Sequence, residues 1–364
     1  MYIAALIVGC LIVGSMLWDV FETVALPRTA LRKVRLARGF YRATWRPWVA
    51  IARRLRSDSS RESFLALYGP LSIFGLLTVW AGGLVMGFAL LQWSQRTLVS
   101  DLPGDSRLFD LVYFSGSTLF TLGVGDLSPN NEAGRVLTVA EAGIGLTLLT
   151  MVLSYLPVLY GSFSRREARL TLLDIRAGTP PAAAELLRSL VDTGDPAALN
   201  EFLKEWEYWC SELLESHISY PPVAYFRSQH RRQSWIAALA TVLDLSALLK
   251  VGVAGPRTWR ADQTFAIARH AAVDLAQILG GPLDLTVDRL PREERAALRR
   301  DLGDAGLTLS PEADARLTEL RRSYEPYVAT LSTRLMMATP PWRHAAAVRY
   351  NWKTDPLQDG GADL

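Results

Sequence analysis

The apolar residues of this chain are concentrated in three long stretches of its first half. Residues 1–18 and Ser63 to Gln95 contain no charged residue, and Val136 to Phe163 contains only Glu141. A helix of about 20 apolar residues is long enough to cross a bilayer. The pattern therefore predicts three membrane-spanning helices, the first of them within residues 1–25.

The second half of the chain is polar and has the pattern of helices. From about Ser164 onward it is dense in Arg, Glu and Asp, and alternating strand patterns are scarce. A capping residue precedes a proline in Thr179-Pro180, Asp195-Pro196 and Ser310-Pro311, as is typical of helix starts. No dinucleotide or phosphate loop, nucleophile motif or acid pair is visible. We predict an all-helical soluble domain over residues 164–364 and no enzyme.

The charges of the two main loops predict how the chain is oriented. Residues 26–62 hold eleven Lys and Arg against two acidic residues, whereas residues 94–132 hold two Arg against five acidic residues. Loops rich in Lys and Arg stay on the cytoplasmic side. We therefore expect the N-terminus outside and the domain of residues 164–364 in the cytoplasm.

One short segment between the second and third apolar stretches has an unusual pattern. In residues 115–129, SGSTLFTLGVGDLSP, Gly123 and Gly125 alternate with apolar residues. Glycine adopts positive φ without a Cβ penalty, so glycines at every second position let successive carbonyls point the same way. A helix-like run, Leu108 to Phe120, leads into the segment.

The sequence TLGVGD resembles the TVGYGD selectivity filter of the potassium-channel superfamily, of the two-helix pore type. The resemblance covers roughly residues 64–163. It implies that the filter, Thr121 to Gly125, binds potassium ions through the carbonyls of Thr121, Leu122, Gly123 and Val124 and the Thr121 hydroxyl. It places Asp126 at the outer mouth. Because only one filter occurs in the chain, a ring of four loops implies a homotetramer.

The resemblance also assigns roles around the filter, and at three positions the sequence departs from the family. Phe114, Ser117 and Thr118 would support the filter from the pore helix. Phe114 and Ser117 stand where many members carry Trp and a Glu or other polar residue. Val124 replaces a Tyr that hydrogen-bonds to the pore helix, so apolar packing would have to hold the filter instead. A weakly selective cation channel therefore remains an alternative.

The third apolar stretch contains four candidate functional residues. Gly143 and Gly145 are candidate hinges, and Pro157 should kink the helix near its cytoplasmic end, either as a gate or as a packing feature. Glu141 is an ionisable residue inside a membrane span, so it needs a partner or water. For Glu141 a structural hydrogen bond is favoured over direct contact with ions.

Two features near the first loop concern the membrane surface. Residues 31–57 intersperse arginines with aromatic residues, which predicts either a segment on the inner membrane surface that binds anionic lipids or a topology-setting loop with Trp anchors. Asp19 and Glu22 share one helix face and are either a functional pair or, as we favour, interfacial partners of the loop arginines.

A few remaining features have ordinary explanations. Ser234 to Val253 is apolar but contains Asp244 and Lys250, so a buried helix of a soluble bundle is favoured over a fourth span. His270 and Asp274 could share a helix face with a metal. Without further ligands at zinc spacing, these two and two other histidines, His217 and His230, are better explained as core or surface residues. Cys10 and Cys210 are predicted to be reduced.

Together these observations predict an all-α membrane protein with three transmembrane helices, one re-entrant pore helix and filter loop, and a helical cytoplasmic domain. The predicted boundaries are 1–25, 26–62, 63–163 and 164–364. The expected activity is passive potassium conduction in a bacterial inner membrane, gated by the cytoplasmic domain through an unknown regulatory ligand. No cofactor besides potassium ions and no nucleic acid is expected. A non-conducting, membrane-anchored sensor or scaffold is the alternative from another class.

Overall fold

The computed structural model describes residues 1–25, 36–97, 108–228, 233–255 and 258–344. His230, residues 26–35 of the basic segment, residues 98–107 of the acidic loop and the last 20 residues lie outside these ranges. The described residues form helices, turns and loops and contain no strand. The chain divides into two compact units, Met1–Gly161 and Ser162–Leu364. The prediction of an all-helical protein is confirmed.

Among the described residues, five helices make up or enter the first unit. They are α1 (Tyr2–Val20, prolonged by a π-helical turn, Phe21–Ala25), α2 (Leu36–Ala52), α3 (Asp58–Ser94), α4 (Leu108–Leu119) and α5 (Glu132–Ala177). The helices Tyr2–Val24, Asp58–Ser94 and Glu132–Ala177 are long and apolar enough to cross a membrane. The prediction of three spans is confirmed.

Helix α5 is longer than the sequence predicted. It has 46 residues, or about 69 Å at 1.5 Å per residue, and ends at Ala177. The predicted end at Phe163 is wrong because residues 164–177 are mostly good helix formers. The first left-handed glycine comes only at Gly178, with φ of 79°, where such a residue commonly ends a helix. The same helix therefore begins in the first unit and ends in the second.

Helix α1 packs against α3 through glycines that allow the two backbones to approach closely. A Cβ atom on Gly87 would lie 2.7 Å from Cγ2 of Val13, and one on Gly83 would lie 2.7 Å from the Met16 sulfur. Small residues at such spacing are a common way to join helices in a membrane. Gly82, which the sequence groups with Gly83, faces open space instead.

Helix α2 packs lengthwise along the first turns of α3 through aromatic rings. Trp48 stacks on Phe64 with ring centroids 4.4 Å apart, and Trp45 meets Tyr68 edge-on at 4.6 Å. The Thr44 and Tyr68 hydroxyls are hydrogen-bonded at 2.8 Å. Because later residues of α2 contact earlier residues of α3, the two helices run antiparallel.

Asp19 joins all three of these helices. It is 3% exposed, and its carboxylate accepts hydrogen bonds from the Trp80 indole at 2.8 Å and from the Ala37 amide at 3.2 Å. The sequence did not predict these two partners. The favoured pairing of Asp19 with arginines of residues 26–35 stays a prediction, because those residues lie outside the described ranges. The carboxylate faces the first turn of α2, where the helix dipole favours a negative charge. Glu22 is also buried.

The second unit is built around one central helix. After the end of α5 come α6 (Ala183–Val191), α7 (Pro196–Ser219), a short 3₁₀ turn (Pro221–Tyr225), α8 (Trp235–Lys250), α9 (Trp259–Leu279), α10 (Arg292–Asp304), α11 (Pro311–Arg322) and α12 (Glu325–Leu335). Every residue of α8 from Trp235 to Leu249 is buried. Helices α6, α9, α11 and α12 contact it.

Asp244 in the middle of α8 is compensated by charged and polar neighbours. Its Oδ1 accepts from Arg289 at 2.5 Å and from the Tyr324 hydroxyl at 2.6 Å. Arg289 also faces Glu325, which in turn binds Arg321. A buried carboxylate needs such partners, because an unpaired charge in a protein interior is very costly. The apolar run of residues 234–253 is thus the core of a helical unit.

The glycine contact between α1 and α3 gives a prediction about stability. Gly87→Ala should destabilise the folded protein by about 1–3 kcal/mol, because the new methyl group overlaps Val13 at a packed site. Gly82→Ala is the matched control, since a Cβ there meets nothing within 4 Å. The measurement is thermal unfolding of both variants in the same detergent. Equal unfolding midpoints for the two variants would contradict this packing.

Candidate functional site

The segment predicted to be a filter begins directly after α4. The Phe120, Thr121 and Leu122 amides donate to the carbonyls of Gly116, Thr118 and Ser117, at 3.1, 3.0 and 2.8 Å. These bonds end the helix in tight turns and start the extended segment. Ser117 and Thr118, predicted as supports of the filter, thus contribute through their main-chain carbonyls.

The backbone of this segment alternates in handedness. Thr121, Gly123 and Gly125 have positive φ, at 54°, 59° and 81°. Glycine tolerates such values freely, whereas a β-branched residue at positive φ is a strained outlier that costs on the order of 1–3 kcal/mol. Residues at positive φ at every second position allow the peptide carbonyls to share one side. The sequence predicted this alternation for the glycines but not for Thr121.

In a single chain, the residues of this segment are not covered by the other described parts of the protein. All residues from Thr121 to Asp126 are exposed. Val124, which was expected to hold the filter by apolar packing, is 59% exposed. Within its own chain that expectation is therefore not met. Leu122 and Phe120 are also large, apolar and exposed, so this loop presents apolar surface as well as carbonyls.

A hydrogen bond ties the end of the segment back to the helix before it. The Tyr113 hydroxyl on α4 bonds to the Asp126 carboxylate. Tyr113 was not singled out from the sequence. Its place in the predicted helix, eight residues before Thr121, was the available sign that its hydroxyl could reach the following loop. Phe114 is buried against Leu111 and Ala89, so it supports α4 by apolar packing.

Glu141 lies behind the segment and joins three helices through one serine. The Ser115 hydroxyl on α4 is hydrogen-bonded to the Glu141 carboxylate on α5 and lies 2.9 Å from the Val85 carbonyl on α3. Ser115 and Glu141 are fully buried. A hydrogen-bonded carboxyl here agrees with the structural role favoured for Glu141. Ser115 itself was not singled out by the sequence.

The two candidate hinge glycines have different surroundings. A Cβ on Gly145 would lie 1.9 Å from the Leu119 carbonyl oxygen, so α5 passes directly against the end of α4. Gly143 has no neighbour within 4 Å of such an atom. The structure therefore gives Gly145 a packing role against the end of α4, next to the segment predicted to be a filter. A hinge at either position stays a prediction.

Pro157 lies inside α5, and the helix continues on both sides of it. The residue is exposed, and its ring removes one main-chain donor from the helix. Whether this residue serves a gate stays a prediction. On both sides of Pro157, exposed apolar residues recur along α5 at seven-residue spacing, namely Val139, Leu146, Leu153 and Tyr160.

In the second unit, the last turns of α5 are fixed by a buried arginine. Arg166 is 4% exposed and donates to the Phe226 carbonyl at 2.7 Å and the Val223 carbonyl at 3.1 Å. Its Nη1 lies 3.3 Å from Nε2 of His217. The rings of Phe163 and Phe226 pack beside it at 5.6 Å. These contacts attach α5 to the 3₁₀ turn that follows α7.

His217 is suited to this arginine because it stays neutral. Burial, and then the positive charge of Arg166, lower the pKa of His217 well below its ordinary value of 6.5. The Leu213 main chain bonds to the ring as well. With the proton on Nδ1, Nε2 is left as an acceptor for the guanidinium. The interpretation of His217 as a satisfied core histidine fits this geometry.

Metal binding has no further support in the described ranges. No group of three or more His, Cys, Asp or Glu side chains is placed there to hold a metal ion. His270 and Asp274 do meet, with Nε2 3.5 Å from Oδ2, but the histidine side chain is largely exposed. They form a surface pair on α9.

Comparison with known proteins identifies the type of the first unit. A family described as "Ion channel" matches residues 75–159, which include α4, the filter segment and most of the membrane-spanning part of α5. The resemblance predicted from residues 115–129 is thereby confirmed. This family consists of transport proteins and not of enzymes.

A curated protein of Bacillus subtilis (strain 168), described as "Uncharacterized membrane protein YdjJ", is 25% identical over 205 residues. The match covers 55% of this chain and 58% of the relative, so the chain spans a little over half of that protein's length. No solved structure matches the chain significantly. The chain is therefore a membrane protein that carries an ion-channel pore segment.

The contrast between the two hinge glycines generates a second prediction. Gly145→Ala should lower the thermal unfolding midpoint of the protein, because its methyl group would overlap the Leu119 carbonyl and displace the end of α4. The expected cost is about 1–3 kcal/mol. Gly143→Ala should have no such cost. If Gly143→Ala were the more destabilising change, this packing role would be wrong.

Proposed function

We propose that this protein is a potassium-selective channel that conducts ions passively through a tetrameric pore. The carbonyls of Thr121, Leu122, Gly123 and Val124 would face the pore axis and replace the water around a potassium ion. The observation that carries this proposal is the positive φ at Thr121, Gly123 and Gly125. A strained threonine within such a pattern is typical of a site that function maintains.

In a tetramer, neighbouring chains would cover the apolar surface around the filter that a single chain leaves exposed. One chain supplies one filter segment, and its side chains Phe120, Leu122 and Val124 are exposed and apolar. Exposed apolar patches of this kind mark interaction surfaces. Packing against neighbouring chains would cover them and would also supply the support that Val124 lacks in its own chain.

The charge distribution supports an inner-membrane orientation with the filter outside. By the positive-inside rule, the basic residues 26–62 lie in the cytoplasm, and the domain of residues 164–364 lies there as well. Asp126 would then be at the outer mouth, where a ring of carboxylates raises the local cation concentration. Tyr113 would hold that carboxylate in place.

Gating by the cytoplasmic domain is supported by the continuity of α5. This helix carries Gly145 beside the filter and Arg166 in the second unit without interruption. A change in the second unit that displaced Arg166 would therefore act on the helix that packs under the filter. A regulatory ligand of unidentified chemistry would bias this helix between two positions.

Two residues favour weak cation selectivity as a second candidate function. Val124 cannot donate the hydrogen bond that a tyrosine would make, and Ser117 replaces a larger polar residue at its position in the family resemblance. Fewer bonds would hold the carbonyls at fixed spacing. Since selectivity depends on the number and field of coordinating carbonyls, a looser filter would admit sodium.

Conduction is tested by rubidium flux into liposomes that hold the purified full-length protein. Gly123→Ala should abolish barium-sensitive uptake, because alanine at positive φ strains the backbone that presents the carbonyls. Gly306→Ala is the matched control, since Gly306 has φ of 72° in the second unit and open space around it. Unchanged flux in folded Gly123→Ala protein would refute the proposed pore.

Coupling between the units is tested at Arg166. Arg166→Gln removes the donors to two buried carbonyls. The rubidium flux per folded protein should therefore change at least about fivefold, which is the effect of the weakest coupling energies typical of allosteric sites. Arg169→Gln is the control, because Arg169 is half-exposed and its pair with Glu205 is at the surface. Equal flux in both variants would contradict the proposed role of α5.

A further inference from the structure

Three arginines form an exposed stripe along α2. Arg38, Arg42 and Arg46 recur every four residues, so they lie along one side of the helix, and all three are exposed. At 1.5 Å per residue the stripe is about 12 Å long. Arg53 and Arg54, just beyond the helix, are exposed as well.

The positive charge of this stripe is not neutralised by the described part of the protein. Helix α2 contains no acidic residue. Of the nearby carboxylates, Asp19 binds Trp80 and the Ala37 amide, and Asp58 pairs with Arg61. No ion pair of Arg38, Arg42 or Arg46 occurs in the described ranges. The stripe is therefore available to an external anion.

The rest of the exposed face of α2 is apolar. An anion that binds beside it should therefore carry an apolar part as well. At about 100° per residue, the aromatic residues docked on α3 occupy one side and the arginines lie next to them. The remaining side carries the exposed residues Leu36, Gly39, Ala43, Pro47, Ala50 and Ile51. A helix with basic and apolar strips and no acids is typical of a membrane interface.

The stripe also lies at a suitable level along α3. The uncharged stretch from Ser63 to Gln95 consists of α3 from Ser63 onward and the one residue after it. It is about 50 Å long, against about 30 Å for the hydrocarbon core. Helix α1 covers the end near Trp80 to Trp93, and α2 packs on the other end. There α3 exposes three large apolar residues, Leu67, Leu71 and Phe74. This end of α3 therefore fits the interfacial layer.

We propose that Arg38, Arg42 and Arg46 bind the phosphate groups of anionic phospholipids in the leaflet beside α2. A guanidinium forms paired hydrogen bonds with phosphate oxygens, and three of them along about 12 Å match neighbouring headgroups. The strip that includes Leu36 and Ala43 then lies against the acyl chains. Because Asp19 and Trp48 fix α2 to α1 and α3, bound lipid would hold all three helices. The inference does not depend on conduction.

The test measures which lipids the purified full-length protein retains. The protein is equilibrated in detergent micelles with equal amounts of phosphatidylglycerol and phosphatidylcholine, and bound lipids are counted by native mass spectrometry. The wild type should retain phosphatidylglycerol in excess. The triple change Arg38→Gln, Arg42→Gln and Arg46→Gln should lower the ratio of the two lipids about a hundredfold, since each arginine contributes about fivefold.

A control with the same loss of charge separates a site from a general charge effect. Arg292, Arg300 and Arg316 are exposed arginines of the second unit, and changing all three to Gln should leave the ratio unchanged. If the first triple variant fails to fold, Arg42→Gln alone should still lower the ratio about fivefold. Equal retention of the two lipids by the wild type, or the same loss in both triple variants, would overturn the proposal.

Discussion

The alternation of backbone handedness at Thr121, Gly123 and Gly125 is the constraint on which the rest of this architecture depends. A short unpaired segment with left-handed residues has no ladder of hydrogen bonds to hold it. It must be fixed from outside, and the structure does this from both ends. The turns after α4 fix its start, and the bond from Tyr113 to Asp126 fixes its end.

Behind that segment, the helices pack closely enough for their main chains to be in contact. Gly145 allows α5 to pass against the Leu119 carbonyl, and Ser115 and Glu141 close the remaining space with a hydrogen bond. The same principle joins α1 to α3 at Gly87. In a membrane, where burial of apolar surface drives little association, close backbone packing and a few buried polar contacts must hold the helices together.

Some of this could be predicted from the sequence and some could not. The three apolar stretches and the TLGVGD segment are local patterns, so they predicted the spans and the ion-channel resemblance directly. The left-handed Thr121 could not be foreseen, because a β-branched residue disfavours that conformation. Gly143 and Gly145 look alike in sequence, and only the position of Leu119 distinguishes them.

Long-range partners could not be predicted from the sequence. Asp19 was expected to pair with the arginines of the next loop, and nothing in the sequence pointed to the indole 61 positions away that donates to it. Arg166 resembles any other charged residue after a membrane span, and only the fold brings it to the carbonyls of Val223 and Phe226. Contacts between residues far apart in the chain leave no local pattern in the sequence. Membrane spans and helices do, because they depend on local composition and periodicity.

The central claim, that the filter carbonyls select potassium, is tested most directly by the reversal potential across a planar bilayer with potassium on one side and sodium on the other. The account predicts a current that reverses far from zero, at a potential that favours potassium. It also predicts that barium blocks this current. A barium-sensitive current that reverses near zero would contradict selectivity and would identify a general cation pore.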